Sequence, residues 1–176
     1  MEHAFTDSFE LPLPREKVFA FFSDAHNLEA ITPSELNFRI LTPDPIVLET
    51  GTLIEYRLRL FGVPFRWVTR IAEWSPPKRF VDEQLRGPYA LWVHTHTFEA
   101  KPTGTVIHDH VRYRLPLSPV GDVAYPLVRA QVVRIFEHRR RVVRETLLGG
   151  RNVVTSGNLS PHMRDGIVRS AVDGEP

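Results

Sequence analysis

The chain has 176 residues, 42% of them apolar, with 11 Phe and 3 Trp, which is the composition of a folded domain rather than a disordered segment. A formal net charge of +1 provides no basic field for nucleic acid, and the absence of cysteine excludes disulfides, thiolate metal ligands and a cysteine nucleophile. No apolar run reaches the roughly 18 residues of a membrane span, and the charged opening MEHAFTDSFELPLP is not a secretory signal, so the expected location is cytoplasmic.

In chain order, EHAFTDSFEL (2–11) reads as a strand. Pro14 then opens a short helix, REKVFAFFSD, because proline is well placed in a first helical turn. A second short helix, AHNLEAI, is stopped by Thr32–Pro33. SELNFRIL (34–41) reads as a strand and PDP as a turn. GTLIEYRLRLFG alternates: Ile54, Tyr56, Leu58 and Leu60 share one face, and Glu55, Arg57 and Arg59 share the other, as in a half-buried strand. A hairpin connection at Phe61–Pro64 leads to FRWVTRIAEW, and Pro76–Pro77 turns the chain into RFVDEQLRG. Two histidine-rich strands follow, each carrying a His-x-His pair.

From about Val120 to Leu148 the period becomes helical. Leu127, Val128, Val132, Ile135, Phe136, Val142, Val143 and Leu147 form one apolar stripe opposite a face of Arg and Glu. Asp122 is expected to cap this helix, and Gly149–Gly150 to end it. Residues 1–149 are expected to make one domain, and 150–176 a loosely structured tail.

Short connections imply an antiparallel sheet, and the long amphipathic helix is the one large element able to cover its apolar face. Side chains alternate along a strand, so Trp92, His94, His96 and Phe98 share a face, and so do Ile107, Asp109, Val111, Tyr113 and Leu115. These apolar–aromatic faces should point inward. The KPTG turn, read as a four-residue loop, pairs residues whose numbers sum to 205, which sets His96 opposite Asp109 and Trp92 opposite Tyr113. A slip of one residue would set inner against outer faces. His94 and His96 thus face inward, and His108 and His110 face outward with Arg112 and Arg114.

This order of elements, with the run FVDEQLRGPYALWVHTHTF followed by DHVRYRLP, resembles the START and polyketide-cyclase-like superfamily (SRPBCC, which includes Bet v 1-like proteins), and within it a bacterial ligand-binding, cyclase/dehydrase-like branch. The resemblance covers roughly residues 2–148. It implies an α+β helix-grip fold: a curved seven-stranded antiparallel sheet wrapped around a long C-terminal helix, with two short helices after the first strand. It also implies a cavity between sheet and helix, and it suggests that Phe80, Asp82 and Gln84 face that cavity, although Val81 and Leu85 hold the alternative face of their strand.

The expected ligand-binding residues are Tyr56, Trp67, Phe80, Asp82, Gln84, Trp92, His94, His96, Phe98, Asp109, Tyr113 and Phe136, around a small hydrophobic or amphipathic molecule of lipid, polyketide or isoprenoid type. The inner polar groups could equally satisfy one another, His96 with Asp109 and His94 with Asp82 or Gln84. In the enzyme alternative, a cyclase or dehydratase, His94 or His96 would move protons while Asp109 orients the ring. Two inward histidines with an opposed carboxylate match a two-His-one-carboxylate pattern, but His-x-His recurs by chance in strands, and neither a metal nor another cofactor is expected. Arg139 falls beside the apolar stripe, where it could snorkel or reach an anionic group, and Tyr89 falls in the loop after Gly87–Pro88, where it could pack within the turn or rim the cavity mouth.

Overall fold

The computed structural model describes residues 1–117 and 120–149; the tail expected at 150–176 lies outside them. Strand β1 (Glu2–Leu11) is followed by the short helices α1 (Arg15–Phe22) and α2 (Asn27–Ala30). Then come β2 (Arg39–Ile40), β3 (Leu53–Leu60), β4 (Val63–Ser75), β5 (Arg79–Arg86), β6 (Leu91–Lys101) and β7 (Gly104–Arg114). A 3-10 turn at Val120–Ala124 leads into α3 (Tyr125–Gly149). The strands form one antiparallel sheet in the order β1-β7-β6-β5-β4-β3-β2. This is the helix-grip α+β fold that the sequence implies. No described helix is long and apolar enough to cross a membrane.

Strand β3 shows how the alternation builds the sheet. Ile54, Tyr56, Leu58 and Leu60 are buried, while Leu53, Arg57 and Arg59 between and before them are exposed. The β3–β4 turn carries Phe61 at φ 52° and Gly62 at φ 79°, a two-residue turn with both positions in the left-handed region, which matches strand twist. The β6–β7 ladder closes at Lys101↔Gly104, tighter than the expected four-residue loop but in the expected register. A Cβ on Gly104 would stand 2.1 Å from the Leu11 carbonyl oxygen, so this turn requires glycine where β1 passes against it.

Three expectations change. SELNFRIL is a 3-10 turn (Ser34–Leu36) and only two residues of strand, because Leu36 is buried in the core and Asn37 takes a left-handed conformation at φ 45°. Asp122 does not open α3: it sits in the preceding 3-10 turn, where its carboxylate meets the Met1 amino group at 2.9 Å and His3 at 3.5 Å. Leu127, assigned to the buried stripe, is 58% exposed; α3 buries Val132, Phe136 and Val143, spaced four and seven residues apart. Val132 and Phe136 pack on Val111, Tyr113 and Leu115, while Val143 packs at the other end with Phe9, Leu11, Phe98 and Ile107. The helix thereby grips the sheet at two places.

Candidate functional site

Strands β5, β6 and β7 lie side by side and set four ionisable side chains on the inner face. The ladder puts Asp82 opposite His94, Phe80 opposite His96, and His96 opposite Asp109. His94, His96 and Asp109 are buried, and the Asp82 side chain retains 18% exposure. The hydrogen bonds run diagonally. His94 Nε2 donates to Asp109 Oδ1 at 2.8 Å, and His96 Nε2 donates to Asp82 Oδ2 at 3.1 Å. Each ring also approaches the other carboxylate: His96 Nδ1 lies 2.9 Å from Asp109 Oδ1 and His94 Nδ1 lies 3.6 Å from Asp82 Oδ2. Neither of these is a hydrogen bond. The first is too bent, which leaves His96 Nδ1 without a hydrogen-bond partner, and the second is too long. The pairing inside the cluster is thus the reverse of the one expected from strand opposition, and Gln84 takes no part.

Burial and mutual charge divide the roles. Burial and the neighbouring His96 ring push the His94 pKa down to about 4, so this imidazole is neutral near pH 7. Burial also opposes charge on His96, but the contacts with Asp109 and Asp82 outweigh it and raise its pKa. Both carboxylates are buried, which by itself favours their protonated forms, yet the histidine contacts hold both below the usual carboxylate range.

The cluster borders a cavity of about 170 Å³ that lies between the sheet, α3 and the N-terminal helices. Of the expected residues, Tyr56, Trp67, Phe80, Asp82, Trp92, His94, His96 and Phe136 line it. Gln84, Phe98, Asp109 and Tyr113 do not. Gln84 holds the turn that follows β5, donating from Nε2 to the Tyr89 carbonyl oxygen at 2.6 Å and accepting from the Tyr89 amide at 3.3 Å. Phe98 is core, packed edge-on to Phe19 and Phe22. Tyr113 is fully buried beside Trp92, and Asp109 stands behind the two rings. Tyr89 lines the cavity and also packs within the aromatic wall, with its ring 5.6 Å from Trp67 and 4.8 Å from Trp92.

Sequence reasoning missed the roof: Phe22, Leu28, Ile31, Leu36 and Phe38 close the cavity from the segment between β1 and β2. The only signal was the apolar content of two short helices. Thr69 faces inward and acts as an anchor, its hydroxyl meeting Tyr56 Oη at 2.9 Å and Trp67 Nε1 at 3.1 Å. Strict alternation from Trp67 and Thr69 would turn Glu73 inward, but it is paired outside with Arg79, because a register shift between Ile71 and Glu73 rotates the strand and turns Trp74 into the core. Arg139 lines the cavity with its guanidinium 5.0 Å from the Phe136 ring and its Nε buried without a hydrogen-bond partner.

Residues 32–147 match the family described as Domain of unknown function (DUF8410). No curated protein matches the chain. Among solved structures, it resembles TTHA0849 from Thermus thermophilus at 17% identity and a TM-score of 0.68, covering 84% of this chain and 99% of that one. It resembles the ZhuI aromatase/cyclase from Streptomyces sp. R1128 at 13% identity and a TM-score of 0.67, covering 83% and 96%. It also resembles ginseng major latex-like protein 151 from Panax ginseng at 10% identity and a TM-score of 0.62, covering 82% and 97%. The chain therefore belongs to the DUF8410 family and shares its helix-grip fold with these solved structures.

Proposed function

We propose that the protein binds a small apolar or amphipathic molecule in the cavity between sheet and α3, with the polar end of that molecule against Asp82, His94 and His96. The observation that carries this is the cavity itself: aromatic and aliphatic walls interrupted on one side by a compact polar cluster, the general form of a small-molecule site. Its volume narrows the ligand. A dry apolar cavity of about 150 Å³ holds one benzene, so about 170 Å³ suits a single ring or a short branched chain rather than a fused polycycle or a long acyl chain. One similar structure is named as an aromatase/cyclase, which supports a role in handling a small organic molecule.

Trp67 and Trp92 line the cavity, so occupancy should be readable from intrinsic fluorescence. Titration with benzyl alcohol, against 1-pyrenemethanol as an oversized control, tests the proposal. Saturable quenching by the small alcohol alone supports it, and no saturable change with benzyl alcohol or a short-chain alcohol series refutes it.

One arrangement favours a second reading, acid–base catalysis of cyclase or dehydratase type. His94 is neutral, oriented by Asp109 through Nε2, and its Nδ1 makes no hydrogen bond on the side of Asp82 and the cavity. His94, His96 and Asp109 would be the working residues.

A further inference from the structure

We propose that Asp82, His94 and His96 form a binding site for a first-row divalent transition-metal ion, with Asp109 fixing both rings from behind. The argument starts from how the four ring nitrogens are divided. One nitrogen of each histidine faces a single oxygen of Asp109: His94 Nε2 at 2.8 Å and His96 Nδ1 at 2.9 Å from Oδ1. The other nitrogen of each faces a single oxygen of Asp82: His94 Nδ1 at 3.6 Å and His96 Nε2 at 3.1 Å from Oδ2. One donor atom from each of Asp82, His94 and His96 lies within 4.8 Å of the other two, the only such group of three among the described residues.

These separations suit an ion. Bonds of about 2.0–2.2 Å to nitrogen and oxygen at tetrahedral angles hold the donors about 3.4 Å apart, and the two N···O distances straddle that value. A metal-bound histidine commonly hands its second N–H to a carboxylate, which fixes the tautomer and aims the lone pair. Asp109 does so for His94 through Nε2 and stands 2.9 Å from His96 Nδ1, a buried nitrogen without a hydrogen-bond partner that a small tilt of the ring would bring into line, and Asp109 does not itself reach the cavity. Two carboxylates, two neutral rings and one divalent ion sum to zero charge, the balance a buried cluster needs. The partly exposed Asp82 gives the ion its approach from the cavity side. Three protein ligands leave coordination positions open toward the apolar volume, the pattern of a reactive site rather than a closed structural one. An N₂O donor set suits zinc, iron, cobalt or nickel, and not calcium or magnesium.

This site stands whether or not an apolar molecule binds. The test uses the full chain without an affinity tag, stripped with chelator and titrated with Co²⁺. One Co²⁺ per chain, with visible d–d absorption of four- or five-coordinate intensity, is expected. Asp82→Ala and His96→Ala should abolish that absorption, and Asp109→Asn should weaken affinity about 10- to 100-fold. Far-UV circular dichroism checks folding, and Asp82→Ala is the decisive variant because Asp82 is the least buried of the four. No uptake of Co²⁺ or Zn²⁺ at micromolar concentration by equilibrium dialysis overturns the proposal. Uptake and absorption unchanged in a folded Asp82→Ala protein overturn it as well, by placing the ion elsewhere.

Discussion

Asp109 stands directly across the β6–β7 ladder from His96, yet it accepts its hydrogen bond from His94, 2.8 Å away. Asp82 repeats the relation on the other side: it is opposite His94 and bonded to His96. A short carboxylate between neighbouring strands meets the longer imidazole on the diagonal, two residues along, a separation that long side chains can span. Because the diagonals cross, each carboxylate touches both rings, and the four groups act as one unit.

Removing Asp109 should therefore be costly. Truncating one member of a buried ionic set leaves its partners uncompensated, at about 3–5 kcal/mol. Asp109→Ala should lower the urea midpoint accordingly, with the slope of the transition unchanged. A loss below about 1 kcal/mol would show that the rings find other partners.

In metal-free protein, stability should pass through a maximum near neutral pH. His94 has a folded pKa of about 4, below its unfolded value near 6.5, so the unfolded state binds more protons in that window and stability falls as pH drops through it. His96 has the opposite sign: its raised folded pKa contributes stability that is full below about pH 6.5 and is lost as pH rises through the folded value. Asp82 and Asp109, both depressed, add stability that is present above about pH 4 and lost under more acid conditions. Urea midpoints from pH 4 to 9 in the presence of chelator check this, and His94→Phe should flatten the slope between pH 4 and 6.5. A slope unaffected by that substitution would contradict the assignment to His94.

Gly104→Ala should destabilise by about 2 kcal/mol or more. Its Cβ would meet backbone of β1, which cannot move aside as a flexible side chain could, and φ of 148° disfavours any L residue. Thermal unfolding of the variant is the measurement, and a melting temperature within a degree of the parent would rule out the close approach.

How much of this was legible in the sequence follows from which forces are local. Alternation put Ile54, Tyr56, Leu58 and Leu60 on one face, and the KPTG turn placed His94 and His96 inward through register alone, because one residue of slip would bury Arg112 and Arg114. Phe80 and Asp82 line the cavity as the resemblance suggested, but Gln84 does not, and Val81 on the opposite face is as buried as Phe80. What was not legible depends on long-range packing. The diagonal hydrogen bonds and the withdrawal of Phe98 and Tyr113 from the cavity each need neighbours distant in sequence, while Gln84 is drawn away locally by the Tyr89 backbone and Glu73 by the shift in the β4–β5 register. The roof from Phe22 to Phe38 carries no strict period, so nothing in its spacing marked it as cavity lining.

Thr69 supplies the most specific test of the cavity wall. Its one hydroxyl meets both Tyr56 Oη and Trp67 Nε1, the two polar atoms of an otherwise aromatic wall, and all three residues are buried. Thr69→Val keeps the shape and removes the oxygen, so two buried donors lose their partner together. An unsatisfied buried group costs about 1–3 kcal/mol, and the pair should cost about 2–4 kcal/mol once the wall relaxes. The same change should alter ligand preference, because Tyr56 and Trp67 then offer free donors to the cavity. Benzyl alcohol should gain affinity relative to toluene in the variant, read by quenching of Trp67 and Trp92. If the ratio of the two affinities is unchanged while stability falls, Thr69 matters to the wall but Tyr56 and Trp67 do not reach the bound molecule.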